Sequence, residues 1–161
     1  MNASALLSAT YRVPGGSLTV VVDPHAIGDH GPVDYGSVVL GTFRGPDDAR
    51  ERLRLDGRVI HPRSHVPFVR EAVARYSDGE LNALETVSVV QSGGPYQQRV
   101  WQAMRTIPAG SVATYAALAA LAGSPRAVRA AGTACAINLL APFVPCHRVV
   151  ASGGLGGYGY G

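Results

Sequence analysis

The stretch TYAALAALAGSPRAVRAAGTACAIN, residues 114–138, decides the fold of the C-terminal half of this chain. Its apolar and small residues predict one helix over residues 115–122 and a second over residues 126–137. Gly123 is expected to turn the chain, and Ser124 before a proline indicates the N-cap of the second helix. Two short helices joined by a glycine turn predict a helix-turn-helix, although an ordinary helical hairpin fits the pattern about as well.

The surface of the predicted second helix is basic and otherwise small. It offers Arg126, Arg129 and Thr133 among alanines and one glycine, with no acidic residue. Small side chains let a helix approach a nucleic-acid groove closely, and guanidinium groups bind phosphates or enter an opened base stack. This surface therefore favours the DNA-binding interpretation over the plain hairpin.

The distribution of charge supports the same interpretation. Residues 1–85 contain nine arginines and all eleven acids, whereas residues 86–161 contain five arginines and no acid. A GC-rich coding bias would explain why every basic residue is arginine, but it would not explain the missing acids. A half-chain of this composition attracts a polyanion, so nucleic acid is the favoured partner.

The pattern of the whole chain predicts two domains and an α+β fold. Strands are expected at residues 17–23, 37–43 and 87–90, with helices at 46–53 and 67–76. After a Gly-rich boundary at 91–94, a helix begins at Pro95 and places Val100, Trp101, Met104 and Ile107 on one apolar stripe, expected to be core. We therefore predict a small N-terminal α/β domain over 1–90 and a C-terminal helical domain over 91–161.

The motif VPCHRVV, residues 144–150, carries the chemistry. A cysteine is a strong nucleophile as thiolate, and a neighbouring base or cation favours that form. A Cys-His pair alone is more often an inert buried cysteine than a catalytic one. Because neighbours in an extended chain point to opposite sides, His147 is not expected to touch the Cys146 sulfur. Cys135 is the only other cysteine and no ligand spacing exists, so we predict no metal and no cofactor.

Three elements taken together are more specific than the Cys-His pair. RAVRAAG at residues 126–132, Asn138 and PCHRV at residues 145–149 resemble the active-site half of the O6-alkylguanine-DNA alkyltransferases. Proteins of this family transfer an alkyl group from guanine in DNA to their own cysteine. The resemblance implies a ribonuclease H-like N-terminal domain and stoichiometric repair of O6-alkylguanine in double-stranded DNA, with O4-alkylthymine left open as a substrate.

The resemblance also implies roles for individual residues. Cys146 accepts the alkyl group, His147 is its base through a bridging water, and Asn138 is a hinge before the active-site loop. Arg129, on a helix in the minor groove, fills the space that a flipped base leaves, and Tyr115 crowds the neighbouring phosphate. The other implied contacts are DNA binding by Arg126, Ala127 and Thr133, and a pocket lined by Val149, Tyr158 and Gly159.

One part of the family pattern does not appear in this sequence. In the family, a glutamate on a helix after the Gly-Tyr stretch orients the active-site histidine. The sequence ends at Gly161, and no acid follows Glu85. Gly159 also stands where the family has a serine. We therefore expect either a weakened relay or a chain that is part of a longer protein.

Three other functions stay open. The first is a protein that binds alkylguanine without chemistry, although such alkyltransferase-like proteins replace the cysteine. A helix-turn-helix regulator leaves the Pro-Cys-His-Arg run unexplained, and a cysteine hydrolase lacks an acid or amide to complete a triad. The N-terminus has no signal-peptide pattern, and no apolar run approaches a membrane span. We expect the protein to be cytoplasmic and to act on DNA as a monomer.

Overall fold

The computed structural model describes residues 4–31, 33 and 35–153, and the chain forms two compact units, Met1–Gln91 and Ser92–Gly161. Tyr158 and Gly159, predicted to line a pocket, lie outside the described residues. Within the part described, no helix has the length and apolarity that crossing a membrane requires. The predicted α+β fold class is confirmed.

The first unit is built on a four-stranded sheet with the order β3-β2-β1-β4. β1 and β2 form an antiparallel hairpin that closes at the Val13–Gly16 pair, and β4 runs parallel to β1. Six successive residues of β2 are buried, from Leu18 to Asp23, because both faces of this central strand are covered. The four strands are β1 (Leu6–Val13), β2 (Gly16–Asp23), β3 (Ser37–Thr42) and β4 (Ile60–Pro62).

Two helices pack on this sheet, and each begins with a proline in its first turn. α1 (Pro46–Arg52) contacts β2 and β3, while α2 (Pro67–Ser77) contacts β1 through a buried face. Proline suits the first helical turn because its missing N–H would have no partner there. Both helices and the strands β2 and β3 lie where the sequence predicts them, to within one residue.

Three parts of the first unit differ from the prediction. β1 and β4 were not predicted, because β1 does not alternate cleanly between apolar and polar residues and β4 is only three residues long. The segment 87–90 is not a strand, since it forms a single bridge between Val89 and Val38. A short 3₁₀ helix, Ala83–Thr86, precedes it.

The second unit is mostly helical. Its helices are α3 (Pro95–Arg105), α4 (Tyr115–Leu121) and α5 (Val128–Ala136), and its short strands are β5 (Ala113–Thr114) and β6 (Val149–Val150). The predicted apolar stripe of α3 is confirmed as core, because all four of its members are at most 4% exposed. β5 and β6 pair in parallel, with Ala113 opposite Val149 and Thr114 opposite Val150.

The turn after α4 has the expected glycine geometry. Gly123 has φ 81°, its N–H donates to the Ala120 carbonyl at 3.0 Å, and the Ser124 N–H donates to the Ala119 carbonyl at 2.9 Å. These two bonds satisfy the last carbonyls of α4 in the Schellman arrangement, which favours glycine at the left-handed position. At the other end of α4, the Thr114 hydroxyl accepts a hydrogen bond from the Ala117 N–H at 3.1 Å.

The start of α5 corrects the prediction. The helix begins at Val128 rather than Arg126, and Ser124 does not cap it. Instead, the Ala127 N–H donates to the Ser124 carbonyl at 2.9 Å, which closes a separate turn containing Pro125 and Arg126. Arg126 therefore lies in a loop, whereas Arg129 lies in the first turn of α5.

Candidate active site

Cys146 is a buried thiol at the start of a short turn. It is 6% exposed and begins a 3₁₀ helix, Cys146–Arg148. Its N–H donates to the Val144 carbonyl at 2.9 Å, and the Arg148 N–H donates to the Pro145 carbonyl at 3.0 Å. The motif is therefore curled and not extended, so the expected opposite orientation of Cys146 and His147 has no basis here.

Asn138 fixes the segment that leads to Cys146. Its side chain is buried, its Nδ2 donates to the Val144 carbonyl at 2.9 Å, and its Oδ1 accepts from the Leu140 N–H at 3.1 Å. The Val144 carbonyl thus receives the Asn138 amide and the Cys146 N–H together. The Asn138 side chain consequently connects the end of α5 to Val144, whose carbonyl also accepts the Cys146 N–H.

His147 keeps solvent-exposed surface beside the buried thiol, but its imidazole is partly desolvated. This desolvation, together with the adjacent Arg148 guanidinium, lowers the pKa of His147 from its ordinary 6.5. The imidazole is therefore neutral at neutral pH and can accept a proton. The Arg148 guanidinium donates to the Ile107 carbonyl at 2.7 Å, so this side chain is held by a main-chain acceptor.

Tyr115 and Cys135 share the electrostatic surroundings of Cys146. Burial and then the nearby Cys146 raise the pKa of Cys135 to about 12, and the Cys135 thiol donates to the Met104 sulfur at 3.8 Å. Burial, followed by both cysteines, also raises the pKa of Tyr115. Cys135 therefore stays a thiol and Tyr115 stays a phenol at neutral pH, which leaves both as neutral neighbours of Cys146.

The start of α5 presents the predicted basic residues to solvent. Arg126, Arg129 and Thr133 are exposed and Ala127 is half-buried. The Thr133 hydroxyl donates back to the Arg129 carbonyl at 3.1 Å. No ion pair involving Arg126 or Arg129 occurs within the described part of the chain. An open groove of about 470 Å³ follows residues 124–127 beside them.

The predicted site residues thus fall into two groups. Around the thiol lie Asn138, His147, Tyr115 and the buried Val149, which is 2% exposed and leaves the turn as the first residue of β6. The exposed surface of α5 and its preceding turn carry Arg126, Ala127, Arg129 and Thr133. Among the described residues, no group of three or more His, Cys, Asp or Glu side chains could hold a metal ion.

Sequence reasoning missed the side chains of α3 that hold these elements in place. The Trp101 Nε1–H donates to the Ala134 carbonyl of α5 at 2.9 Å. A Cβ atom on Gly93 would lie only 2.5 Å from the Trp101 ring, so this close approach requires glycine. Tyr96 and Arg99 donate to the Ala127 and Ala122 carbonyls, at 3.2 and 3.1 Å. These acceptors are main-chain atoms, which leave no pattern in the sequence.

Comparison with known proteins identifies relatives of both units. The family model "6-O-methylguanine DNA methyltransferase, DNA binding domain" matches residues 95–161. The methylated-DNA–protein-cysteine methyltransferase of Mycolicibacterium paratuberculosis is 40% identical over 124 residues, which are 76% of this chain and 73% of that protein. The Salmonella typhimurium protein of the same name is 44% identical over 92 residues, 56% of this chain. The chain covers 54% of that protein, about half the length of several relatives it matches.

A solved structure extends the similarity over nearly the whole chain. The crystal structure of Mycobacterium tuberculosis OGT in complex with DNA superposes with a TM-score of 0.70 at 30% identity. The match covers 96% of this chain and 85% of that one.

Proposed function

Because the chain belongs to the methylated-DNA–protein-cysteine methyltransferase family, we propose that it repairs DNA by moving an alkyl group from O6-alkylguanine to its own Cys146. The observation that carries this proposal is the thiol itself, which is buried on a turn that Asn138 fixes from one side and Arg148 from the other. A thiol whose backbone is fixed in this way is pre-organised to react with a substrate that binds beside it.

Double-stranded DNA is the proposed partner, and the exposed start of α5 is its proposed binding surface. An alkylated base inside a duplex cannot reach a buried thiol unless it turns out of the base stack. In this proposal Arg129 fills the vacated space and Tyr115, at the start of α4, crowds the phosphate of the flipped nucleotide. Arg126, Ala127 and Thr133 contact the backbone around them, since this surface carries positive charge and small side chains.

The proposed transfer uses Cys146 and His147 of this chain together with a water molecule. The neutral His147 imidazole takes the thiol proton through a water molecule, and the Cys146 sulfur attacks the alkyl carbon as the bond from that carbon to guanine O6 breaks. Guanine then takes up the proton that His147 accepted, through the same water, and leaves without its alkyl group. The product is a thioether, which water does not hydrolyse, so each molecule reacts once.

The remaining predicted residues complete the proposal. Asn138 holds the loop, and Val149 lines the pocket from β6, while Tyr158 and Gly159 stay predictions for that pocket. One chain carries all of these groups, so we propose that the protein acts as a monomer. A thiolate nucleophile needs a reducing compartment, which supports the cytoplasm as its location.

Intact mass spectrometry tests the proposal. The protein is incubated with duplex DNA that contains one O6-methylguanine, and we expect it to gain one methyl group that peptide mapping places on Cys146. The Cys146→Ala variant should gain nothing while it still binds the alkylated duplex. If the wild-type protein binds this duplex tightly but gains no mass, it is a lesion-binding protein and transfer is excluded.

A further inference from the structure

We propose that Tyr96 and Arg99 of α3 form a clamp that positions α5 for DNA, so that they govern how Arg129 meets the duplex without taking part in the chemistry. This inference rests on the proposed function, because it assigns a positioning role within the same DNA-binding surface. The two residues are called the α3 clamp below.

The α3 clamp holds both ends of the connection between α4 and α5. The Tyr96 hydroxyl donates to the Ala127 carbonyl at 3.2 Å, and the Arg99 Nε–H donates to the Ala122 carbonyl at 3.1 Å. Ala122 ends α4 and Ala127 precedes α5, so the intervening turn is anchored on each side.

The two clamp residues also contact each other. They lie three residues apart on α3, on adjacent turns of one helix face, and the Arg99 guanidinium carbon is 5.3 Å from the centre of the Tyr96 ring. A guanidinium over an aromatic face is attracted to it, so each residue restricts the rotamers of the other. The pair therefore acts as one unit and not as two separate contacts.

The clamp matters because the helices that it joins are short. α4 has 7 residues and α5 has 9, lengths at which a helix depends on tertiary contacts to stay formed and placed. The Ala127 carbonyl also accepts the Ala131 N–H at 3.0 Å, which closes the first turn of α5. Tyr96 thus binds the carbonyl on which that first turn is built, two residues before Arg129.

Comparison of two substrates separates positioning from chemistry. Alkyl transfer is measured with a methylated duplex and with free O6-methylguanine base, which reaches Cys146 without contacting the α5 surface. The variants are Tyr96→Phe, which keeps the ring and every charge, and Arg99→Ala. The control is Gln102→Ala, because Gln102 is exposed on the same helix.

For Tyr96→Phe we expect the rate with duplex to fall by roughly 2- to 10-fold, the range of one net hydrogen bond, while the rate with free base is unchanged. Arg99→Ala should lower the ratio of the rate with duplex to the rate with free base. Arg99→Lys, which keeps a donor and the charge, should restore part of this ratio. Gln102→Ala should alter neither rate. Because Tyr96→Phe removes no charge, its dependence on salt concentration should match that of the wild type.

Three outcomes overturn the clamp. Equal losses with duplex and free base would mean that Tyr96 only stabilises the unit. Unchanged rates in both variants would mean that the contacts do not position α5. An effect of Arg99→Ala alone, with a smaller salt dependence, would make Arg99 a phosphate contact. A wild-type protein that accepts an alkyl group from neither substrate would instead refute the proposed function. The clamp would then be tested by affinity for duplex, which must be lower for Tyr96→Phe than for the wild type.

Discussion

The two units differ in the partners that their arginine side chains find. In the first unit, arginines pair with carboxylates, as in Arg58 with Asp23, Arg52 with Asp48 and Arg75 with Glu80. In the second unit, which has no acid in its sequence, Arg99 and Arg148 donate to main-chain carbonyls. A carbonyl acceptor satisfies the guanidinium N–H groups without cancelling the formal charge. The second unit can therefore order its arginines and still present a positive field to a polyanion.

A related difference extends to uncharged side chains. The first unit bonds side chains to backbone and also to one another, as in the buried Ser37–Ser88 hydrogen bond of 2.9 Å. The second unit joins side chains to backbone, through Tyr96, Trp101 and Asn138. Anchors on main-chain atoms fix the position of a helix or a turn directly, which suits a unit whose short elements hold the buried Cys146 thiol in place. Four predictions test this difference between the units.

The largest effect is expected for Asn138→Ala. It leaves the buried Leu140 N–H without its acceptor, which costs roughly 1–3 kcal/mol, and it removes one of the two donors to the Val144 carbonyl, which costs roughly 0.5–1.5 kcal/mol because the Cys146 N–H remains. Denaturant unfolding followed by the fluorescence of Trp101, the one tryptophan, should show a loss of about 2–4 kcal/mol. Ser88→Ala in the first unit is the matched control. It should lower the free energy of unfolding by less, because Ser37 keeps its hydrogen bond to the Ala26 carbonyl. Equal costs would remove the contrast.

Arg148→Met should follow. It leaves the Ile107 carbonyl without its charged donor, and we expect a loss of about 1–3 kcal/mol in unfolding free energy together with slower alkyl transfer. The control Arg75→Met breaks the exposed pair with Glu80 and should produce no measurable change in thermal unfolding. A stability loss in the control that matched Arg148→Met would contradict the idea that carbonyl anchors matter more here than ion pairs.

Arg129→Ala tests the positive surface itself. We expect the preference for alkylated over plain duplex to fall by about tenfold, with a modest loss of affinity for both, because the side chain is proposed to replace a base and not only to bind phosphate. Fluorescence anisotropy with the two duplexes measures this. Arg12→Ala, which changes an exposed residue of β1, should leave both affinities unchanged. Equal loss on both duplexes after Arg129→Ala would refute the base-replacement role.

The smallest effect concerns pH. The lowered pKa of His147 means that its imidazole takes up a proton only below the ordinary 6.5, so the neutral acceptor persists at that pH. The rate of transfer from the free base should change by less than about twofold between neutral pH and 6.5, and should decline below it. His147→Gln should be slower and lose this decline. A midpoint above 6.5 in the wild type would show that Arg148 and burial do not control the imidazole.

The sequence predicted those features that depend on local chemistry. The Gly123 turn and the α3 stripe follow from the left-handed backbone of glycine and from helical periodicity. The start of α5 was wrong because Ser124 and Pro125 suit a turn as well as a helix start, and the Ala127 N–H bond to Ser124 decided between them.

The hydrogen bonds from side chains to main-chain carbonyls could not be predicted, for a different reason. Nothing near Tyr96 or Asn138 in the sequence indicates that a distant carbonyl will accept their hydrogen bonds. The curled conformation of the Cys146 motif was missed in the same way, because its Val144 carbonyl is shared between the motif and Asn138. The motif identified the family, which the comparisons confirm, but it did not give the geometry of the thiol.

The parallel pairing of β5 with β6 has a consequence for how the second unit folds. Helices α3 to α5 follow one another along the chain and contact their neighbours, so they can assemble through local contacts. The pairing of Ala113 with Val149 instead closes a long stretch of chain, and contacts distant in sequence form slowly. Val149 directly follows the Cys146 turn. The thiol should consequently reach its final place late in folding, after helices α3 to α5 have formed.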